Sequence, residues 1–350
     1  ESRPEAKSKS LVPLRGLFPY LSPYKRIIGL ALLFLTAAAL MTLAMPIAFR
    51  RVIDFGIMAN DANAISQHFL FLLSLGALLA IFASLRFFLV SWIGERVVAD
   101  VRSAVFKHIL SLTPSYFEET RTGEILSRLT TDTTLIQNVV GSSVSIALRS
   151  LVTLVGGLVM LLATSIKLAS ILLLLLPIIV LPIFLIGRRI RKLSRQSQDK
   201  IADTSGVAGE IINALQVVQA FSLESIKQQK FDSVVEKAFQ TAKRRIRTRA
   251  LLTAIAMISV VSSIVAVLWV GTLDVLTDEM SGGELAQFLL YAIIVGSSTT
   301  MIGEIWGSLQ QAAGAAERIA ELLTTKPRIS APPNPIALPE KLSGKISFEH

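Results

Sequence analysis

A charged segment near one third of the chain, YFEETRTGEILSRLTTD from Tyr116 to Asp132, is the first candidate for chemistry. Six of its seventeen residues are charged, whereas only 17% of the whole chain is. The aromatic pair Tyr116 and Phe117 lies beside those charges. Charges in this setting either stay in water or meet a polar partner, so the segment predicts a docking surface. The alternative is a solvated turn with ordinary helix caps.

Local signals around this segment predict a short crosswise helix between two longer ones. Ser115 and Glu118 have the spacing of a capping box, in which two side chains bond the first free backbone N–H groups. Gly123 can adopt the left-handed conformation that ends a helix, and Thr122 can then cap the returning helix. The short helix is expected from about Ser115 to Arg121.

A second segment, LQVVQAFSLESIKQQKF from Leu215 to Phe231, repeats the pattern. It places the aromatic Phe221 beside polar residues, with Glu224 and Lys227 close behind. The expected helix at this tip covers Ala220 to Ile226. Two such segments indicate a shared role more strongly than one does.

Several kinds of chemistry are excluded by composition. The chain has no cysteine, which excludes disulfides, thiol chemistry and cysteine-ligated metals. Its three histidines are scattered and form no metal-binding pattern. No stretch matches the G-x-x-x-x-G-K-[ST] loop, whose backbone amides hold phosphates. We therefore predict no catalytic, cofactor-binding or metal-binding residue in this chain.

The elements that must position the two charged segments are apolar. The chain is 52% hydrophobic with a mean hydropathy of +0.60, and a run of about 20 apolar residues can cross a bilayer. Backbone polar groups in lipid must be paired within the run, so such runs are helices. Six runs near that length favour membrane spans over buried core helices. They are 27–49, 65–85, 150–166, 168–187, 250–273 and 285–303.

The distribution of charge predicts the orientation of these spans. Loops on the cytoplasmic side carry an excess of Lys and Arg. Residues 188–249 hold fourteen basic residues, whereas the turn between the fifth and sixth spans holds only acidic charges. Both termini and the two long loops are therefore expected on the cytoplasmic side. Sidedness accounts for most of the net charge of +10, so we do not predict nucleic-acid binding.

Two long connections on that side, 86–149 and 188–249, are almost equal in length. Both keep apolar residues at helical intervals, as at Val97, Val101 and Val105. Each connection is interpreted as a hairpin that sends one helix out and another back. Arms of roughly 25 residues, at about 1.5 Å each, would extend about 40 Å into the cytoplasm. The charged segments then lie at the tips of two stalks, as a machine driven from the cytoplasm requires.

Several segments resemble type I ABC exporters, the multidrug and lipid-flippase class. FEETRTGEILSRLTTD is similar to the signature of their first cytoplasmic loop, and VVQAFSLESIKQQKF to that of the second. LRGLFPYLSPYKR resembles their amphipathic N-terminal elbow, and SGGELAQFLLYAIIVG and GAAERIAELL resemble the two ends of their sixth helix. The likeness covers nearly the whole chain and is closest to half-transporters, including mitochondrial and bacterial ones. It implies an all-α membrane protein with six transmembrane helices and long cytoplasmic extensions.

The resemblance implies a role for the two tips. In this family the tips are coupling helices, which sit in grooves on ATP-binding domains and pass nucleotide-driven motion to the membrane helices. The first would comprise Ser115, Tyr116, Phe117, Glu118, Thr120, Arg121 and Gly123. The second would comprise Ala220, Phe221, Ser222, Leu223 and Glu224.

The expected domains are an elbow segment, a transmembrane domain and a linker. The elbow covers 1–25, the six-helix domain 26–325, and the linker 326–343. The linker contains the proline-rich KPRISAPPNPIALPE, which predicts a stiff, extended chain. Residues 344–350, GKISFEH, resemble the first strand of the family's nucleotide-binding domain. We expect that domain, with its ATP and Mg²⁺, to be missing by truncation, so that this chain alone does not hydrolyse ATP.

The stretch MSGGE, from Met280 to Glu284, is close to the LSGGQ signature that contacts ATP in ABC motor domains. Here it falls between the fifth and sixth spans, on the predicted outer side, with no phosphate loop upstream. We therefore expect Gly282 and Gly283 to make the turn, and Ser281 or Gly283 to precede the sixth helix.

Polar side chains near the spans are candidates for a substrate cavity, because charge at membrane depth is costly and usually faces a cavity or a partner. The candidates are Arg86, Arg149, Glu304, Trp306 and Gln310. By this resemblance, the two arginines occupy positions where lipid-exporting members carry basic residues. Such residues could bind a phosphorylated or acidic headgroup. The alternatives are snorkelling to the inner interface or pairing with a neighbour such as Glu304. The sixth helix carries Glu304 and no basic residue in its inner half, which argues against a strict lipid-flippase assignment.

Six helices make half of a transport pathway, so a twofold homodimer is the expected assembly, with a heterodimer as the alternative. The predicted function is the membrane half of an ATP-driven exporter that moves an amphipathic or lipid-like substrate by alternating access. The rival is a passive channel, or a receptor domain whose stalks dock a non-ATPase partner. We expect the bacterial inner membrane first and the mitochondrial inner membrane second.

Overall fold

The computed structural model describes residues 12–57, 62–329, 334, 344 and 346–348. Within these residues the secondary structure is helical, with no strand. The predicted strand at 344–350 and the linker at 326–343 lie largely outside the described residues, so both remain predictions. The predicted all-α class is confirmed.

Within the described residues, eight helices follow an N-terminal elbow made of three short helical turns, Val12–Leu17, Phe18–Leu21 and Ser22–Tyr24. A π turn, Val52–Ile57, continues the first of these helices. Six of them are long and apolar enough to cross a membrane, which confirms the predicted spans. In chain order the helices are α1 (Lys25–Arg51), α2 (Ala62–Ile109), α3 (Pro114–Glu119), α4 (Thr122–Thr164), α5 (Ile166–Asn213), α6 (Leu215–Ala220), α7 (Glu224–Leu276) and α8 (Gly282–Thr324).

The third and fourth spans are separated by one residue. Ser165 has an extended backbone, with φ −158°, and its side chain accepts a hydrogen bond from the Leu168 N–H at 3.2 Å. A cap of this kind satisfies one of the free N–H groups at a helix start. The chain can therefore reverse here without a loop.

The chain divides into two compact units, which are described separately. The first contains the described residues of 1–45, 69–157 and 293–350, and the second those of 46–68 and 158–292. The predicted first stalk belongs to the first unit, and the predicted second stalk belongs to the second.

The first unit has an apolar core that runs along its stalk. Valines of α2 at helical spacing form its centre, and Val97 and Val105 are fully buried. Ile136 of α4 and Leu322 of α8 are equally buried in the same cluster, which also includes Leu17 of the elbow. Three long helices and the elbow thus share one core.

A close approach of α2 and α4 helps to build this core. A Cβ atom on Gly94 would lie 2.5 Å from the Gly141 Cα. Gly141 is part of a π turn, Val139–Ser143, which interrupts the regular helix at the contact. Only glycine at position 94 leaves room for two backbones this close.

The second unit is built differently. Helices α5 and α7 pack against each other, and residues near their outer ends, such as Leu168 and Gly271, are buried. Within 188–249, all of which the structure describes, only Ser197 and Val218 are buried. The second stalk is therefore a helix pair with little core of its own.

Candidate functional site

The first tip contains the predicted short helix. Helix α3 covers Pro114–Glu119, close to the expected limits of Ser115 and Arg121. Proline stands at the first helical position, where its missing N–H has no cost. The chain enters from Thr113 and leaves at Thr120 with extended backbone angles at both, so α3 is a separate element between α2 and α4.

The predicted caps of this helix were wrong. Thr113, not Ser115, holds the N-cap position, and its side chain makes no cap hydrogen bond but contacts the Ser115 hydroxyl at 3.2 Å. Gly123 does not end α3 in a left-handed conformation, because it lies inside the first turn of α4. The extended angles of Thr120 and Arg121 make the turn without any left-handed residue.

The aromatic pair at this tip divides into an anchor and an exposed ring. The Tyr116 and Phe117 rings meet edge-on, with centroids 5.6 Å apart. Tyr116 packs against the core of the first unit, whereas Phe117 is 45% exposed. Of the two rings, Phe117 is therefore the one that a partner can contact.

The second tip holds its short helix before the expected position. Helix α6 covers Leu215–Ala220, so the prediction of a helix from Ala220 to Ile226 was wrong. Ser222 has a positive φ of 52°, and the Leu223 N–H donates to the Val218 carbonyl at 2.9 Å, which closes the end of α6. The left-handed residue is what stops a helix through 220–226.

The exposed residue at the second tip is again a phenylalanine. Phe221 is the C-cap of α6 and is 72% exposed, while Leu223 is half-buried and Glu224 begins α7. An exposed aromatic ring beside polar residues is typical of an anchor for protein docking. Each tip therefore offers one such ring, Phe117 and Phe221.

Two contacts join the first tip to the segment that follows α8. The His108 Nε2 atom lies 2.9 Å from the Thr325 carbonyl oxygen, and Arg328 donates to Glu119 at 3.0 Å. His108 lies in the last turn of α2 and Glu119 ends α3. The chain that leaves the sixth span is therefore held against the first tip. Sequence reasoning missed both contacts, because the partners lie more than 200 residues apart.

A buried ion pair joins α4 to α8 inside the first stalk. Arg318 donates from Nε to one oxygen of Asp132 at 2.9 Å and from Nη2 to the other. Asp132 is 4% exposed and lies in a π turn, Arg128–Asp132. Its hydrogen bonds raise the pKa of Arg318. Asp132 is one of the six charges of the segment at the first tip, and no local pattern in the sequence marks Arg318 as its partner.

The cavity candidates Arg86 and Arg149 lie near each other. Arg86 donates from Nη1 to the Ser145 hydroxyl at 2.7 Å, and Arg149 lies four residues after Ser145 on the same face of α4. Within the described residues no carboxylate pairs with either arginine, and the buried Arg86 Nε has no partner. Two cations held together without an acid form a candidate site for an anion.

The α8 candidates are not paired with these arginines. Glu304 is exposed and makes no ion pair in the described part of the chain, so the neighbour that Arg86 pairs with is Ser145 and not Glu304. Trp306 is 56% exposed and Gln310 is half-buried. These three residues stay candidates for a cavity wall, with no contact that assigns them to it.

The MSGGE stretch has a structural role at the end of the second unit that lies away from its stalk. Ser281 and Glu284 form a capping box at the start of α8, with N–H donations of 2.9 and 3.0 Å. Asp54 accepts from the Ser281 hydroxyl at 2.8 Å and from the Gly283 N–H at 2.9 Å. Arg50 bridges Asp54 and Glu284. Ser281 precedes the sixth helix, as one of the two predicted alternatives had it, but the prediction that Gly282 and Gly283 make the turn was wrong, because both lie in the first turn of α8.

This arrangement does not fit a nucleotide. The Ser281 hydroxyl and the Gly283 N–H, which would have to face a phosphate, both donate to Asp54. The carboxylates of Asp54 and Glu284 would repel a phosphate at the same place. MSGGE therefore does not hold ATP in this chain.

Comparison with known proteins identifies the family. Residues 28–299 match the family model of the ABC transporter transmembrane region. This match covers most of the chain, so the chain belongs to that family.

Full-length relatives are longer. The chain is 27% identical over 314 residues to a putative export ATP-binding/permease protein of Rickettsia felis, covering 90% of this chain and 54% of that protein. It is 28% identical over 321 residues to ABC transporter B family member 1 of Dictyostelium discoideum, covering 91% of this chain and 35% of that protein. It is 26% identical over 350 residues to the human ABC-type oligopeptide transporter ABCB9, covering 99% and 45%. The chain spans about half the length of the curated relatives it matches.

Proposed function

We propose that this chain is the membrane-spanning half of an ATP-driven exporter that moves an amphipathic or lipid-like substrate by alternating access. The motor is a nucleotide-binding domain that binds ATP and Mg²⁺ and docks on both tips. A second copy of the chain completes the pathway. The protein resides in the bacterial inner membrane, with its tips in the cytoplasm.

The observation that carries this proposal is the construction of the first tip. A separate short helix, α3, presents the exposed ring of Phe117, and its end is bonded to the segment after α8 through Glu119 and Arg328. A motor domain joined after α8 would then act on the first tip in two ways. It would dock on α3, and it would pull on the covalently attached segment that is bonded to α3. A passive channel has no need of such a connection.

The substrate class rests on Arg86 and Arg149. Two guanidinium groups without a carboxylate favour an acidic group on the substrate, such as a phosphate or a carboxylate. The apolar helices around them favour an amphiphile over a small polar ion. The relatives named above include an oligopeptide transporter, whose substrates also carry a carboxylate.

The coupling role can be tested by truncating the exposed rings. The natural full-length protein in proteoliposomes would carry Phe117→Ala or Phe221→Ala. Matched controls are Phe106→Ala and Phe239→Ala, whose rings are 53% and 56% exposed on the stalk shafts. We expect about a tenfold loss of substrate moved per ATP hydrolysed for each tip variant, the cost of losing one anchor of a docked surface. The melting temperature should not change.

The same experiment separates the rival function. If both tip variants transport as the controls do, the coupling role is wrong. Substrate flux that proceeds equally with and without ATP would support a passive channel or receptor domain instead.

A further inference from the structure

An apolar cavity of about 230 Å³ lies in the first unit between the elbow, α1, α2 and α4. We name it the elbow cavity. It extends from Leu21 of the elbow, past Ile28 and Leu32 of α1, to Leu35 and Leu148. Every lining residue is apolar except Ser145, whose hydroxyl already accepts a hydrogen bond from Arg86.

The shape and lining of the elbow cavity limit what can fill it. Water inside a protein needs about two to four polar partners, which these walls do not offer. The volume is below the roughly 300–1,000 Å³ of sites for drug-sized ligands. A helix about 10–12 Å across does not enter a space of this size, which argues against a helix of a second copy. A single flexible alkyl chain fits these limits.

The elbow end of the cavity is held in place by a polar cluster. The Tyr24 hydroxyl donates to Asp100 at 2.7 Å and accepts from Arg96 Nε at 3.1 Å. The Tyr24 ring meets Trp92 edge-on at 5.7 Å. The hydrogen bond with Tyr24, together with the charge of Asp100, raises the pKa of Arg96. These contacts fix the elbow to α2, so the mouth beside Leu21 is a built feature.

Two basic residues lie in sequence between the lining residues Leu21 and Ile28. Lys25 and Arg26 begin α1, four and five residues after Leu21, and both are exposed. Within the described residues neither forms an ion pair. Tyrosine and tryptophan rings with basic neighbours are typical of the level of lipid headgroups. The elbow end of the cavity therefore combines an apolar lining with two basic residues close in sequence.

We propose that the elbow cavity binds one acyl chain of an anionic phospholipid, whose phosphate group is met by Lys25 and Arg26. The lipid is a resident of the protein and not its cargo. The site depends on the chain lying in a membrane and does not depend on the exporter function proposed above.

The test is retention of lipid by the natural full-length protein in detergent, measured by native mass spectrometry. The probes are phosphatidylglycerol and phosphatidylcholine with the same acyl chains. The filling variant is Leu32→Trp, because Leu32 lines the cavity and is 43% exposed, so a larger ring can enter without disturbing the core. The matched control is Leu33→Trp, which is 58% exposed and does not line the cavity.

We expect the unmodified protein and Leu33→Trp to keep one phosphatidylglycerol per chain through delipidation, and Leu32→Trp to lose it with an unchanged melting temperature. The double variant Lys25→Gln, Arg26→Gln should keep a lipid but lose the preference for phosphatidylglycerol over phosphatidylcholine. That preference should fall about fivefold for each basic residue removed.

Two results would overturn the proposal. One is equal retention of lipid by Leu32→Trp and Leu33→Trp. The other comes from Leu32→Cys, which introduces a thiol into a segment of 350 residues that has none. If that thiol cross-links to a second copy in the membrane, the cavity belongs to the contact between copies. Transport activity is not a readout of this test, so its failure is distinguishable from failure of the exporter function.

Discussion

The two stalks have similar lengths and opposite interiors. In the first, α2, α4 and α8 enclose a row of valines, and Val97 and Val105 are fully buried. In the second, α5 and α7 stand as a pair, and only Ser197 of α5 and Val218 of the short helix α6 are buried among 188–249. An isolated helix pair has few buried apolar contacts to hold it. The first stalk is therefore completed within the chain, and we propose that a partner completes the second.

A second copy of this chain is the partner that accounts for the difference most simply. A homodimer would cover both second stalks at once, by the same surface on each copy. The second unit is then fixed at its outer end by polar contacts, such as Asp54 with Ser281 and Lys167 with Asp274. The hydrogen bond to Asp274 raises the pKa of Lys167. Its stalk is left free to meet the other copy.

The largest expected effect concerns the buried ion pair of the first stalk. Arg318→Ala leaves the Asp132 carboxylate buried without its partner, which costs about 2 kcal/mol after allowance for the half-exposed arginine. The control is Lys230→Ala in the second stalk, where the contact with Glu210 is exposed at both ends. That change should cost about 0–1 kcal/mol. Denaturant unfolding in detergent would give the loss of stability for each variant. Equal losses for Arg318→Ala and Lys230→Ala would contradict the claim that only the first stalk has a buried core.

A second comparison uses the valines. Val101→Ala in the first stalk removes two buried carbon groups and leaves a void, at about 1.5–2.5 kcal/mol. Val235 in the second stalk is 41% exposed, so Val235→Ala should cost about 0.5 kcal/mol or less in a monomer. The free energy of unfolding of both variants should be measured separately in monomeric and dimeric fractions. A larger cost for Val235→Ala in the dimer alone would place that residue under the second copy.

The outer end of the second unit is tested by two neighbouring glycines. A Cβ on Gly283 would lie 2.5 Å from Asp54 Oδ1, whereas a Cβ on Gly282 would meet nothing within 4 Å. Gly283→Ala should therefore destabilise by about 1–2 kcal/mol, because the Asp54 contact must shift. Gly282→Ala should change stability by about 0.5 kcal/mol or less. Thermal unfolding of the two variants checks this, and equal melting temperatures would show that Asp54 does not hold α8.

The smallest expected effect concerns substrate recognition in the first unit. Arg86→Gln or Arg149→Gln should lower the ATPase stimulation by an anionic amphiphile about tenfold, since each removes one charge-assisted hydrogen bond. Stimulation by a zwitterionic amphiphile should change little. The control is Arg188→Gln in the second unit, whose guanidinium lies over the Phe184 ring. If all three variants lose stimulation equally, the paired arginines have no special role.

The sequence predicted the elements of this fold better than their contacts. Six apolar runs and the helical spacing of residues such as Val97 and Val101 are local signals, and they led to the observed helices. The position of α3 followed from the same kind of signal. The caps did not, because Ser115 and Gly123 have cap-forming chemistry without the backbone angles that a cap requires.

The contacts that hold the candidate sites could not be found in the same way. Arg318 and Asp132 lie 186 residues apart, and Ser281 and Asp54 lie 227 apart. Nothing in either local segment marks its partner. The sequence also did not predict the difference between the stalks, because both have apolar residues at helical intervals. The stalks differ because α8 packs into the core of the first.

Hydrogen exchange of the natural full-length protein in nanodiscs tests the central claim most directly. The amides of 86–149 should exchange slowly in any preparation, because their core lies within the chain. We predict that the amides of 188–249 exchange as slowly in the assembled protein and much faster after the copies are separated, since an uncovered helix pair opens locally. Fast exchange of 188–249 in the assembled protein would contradict the claim that a second copy completes the second stalk.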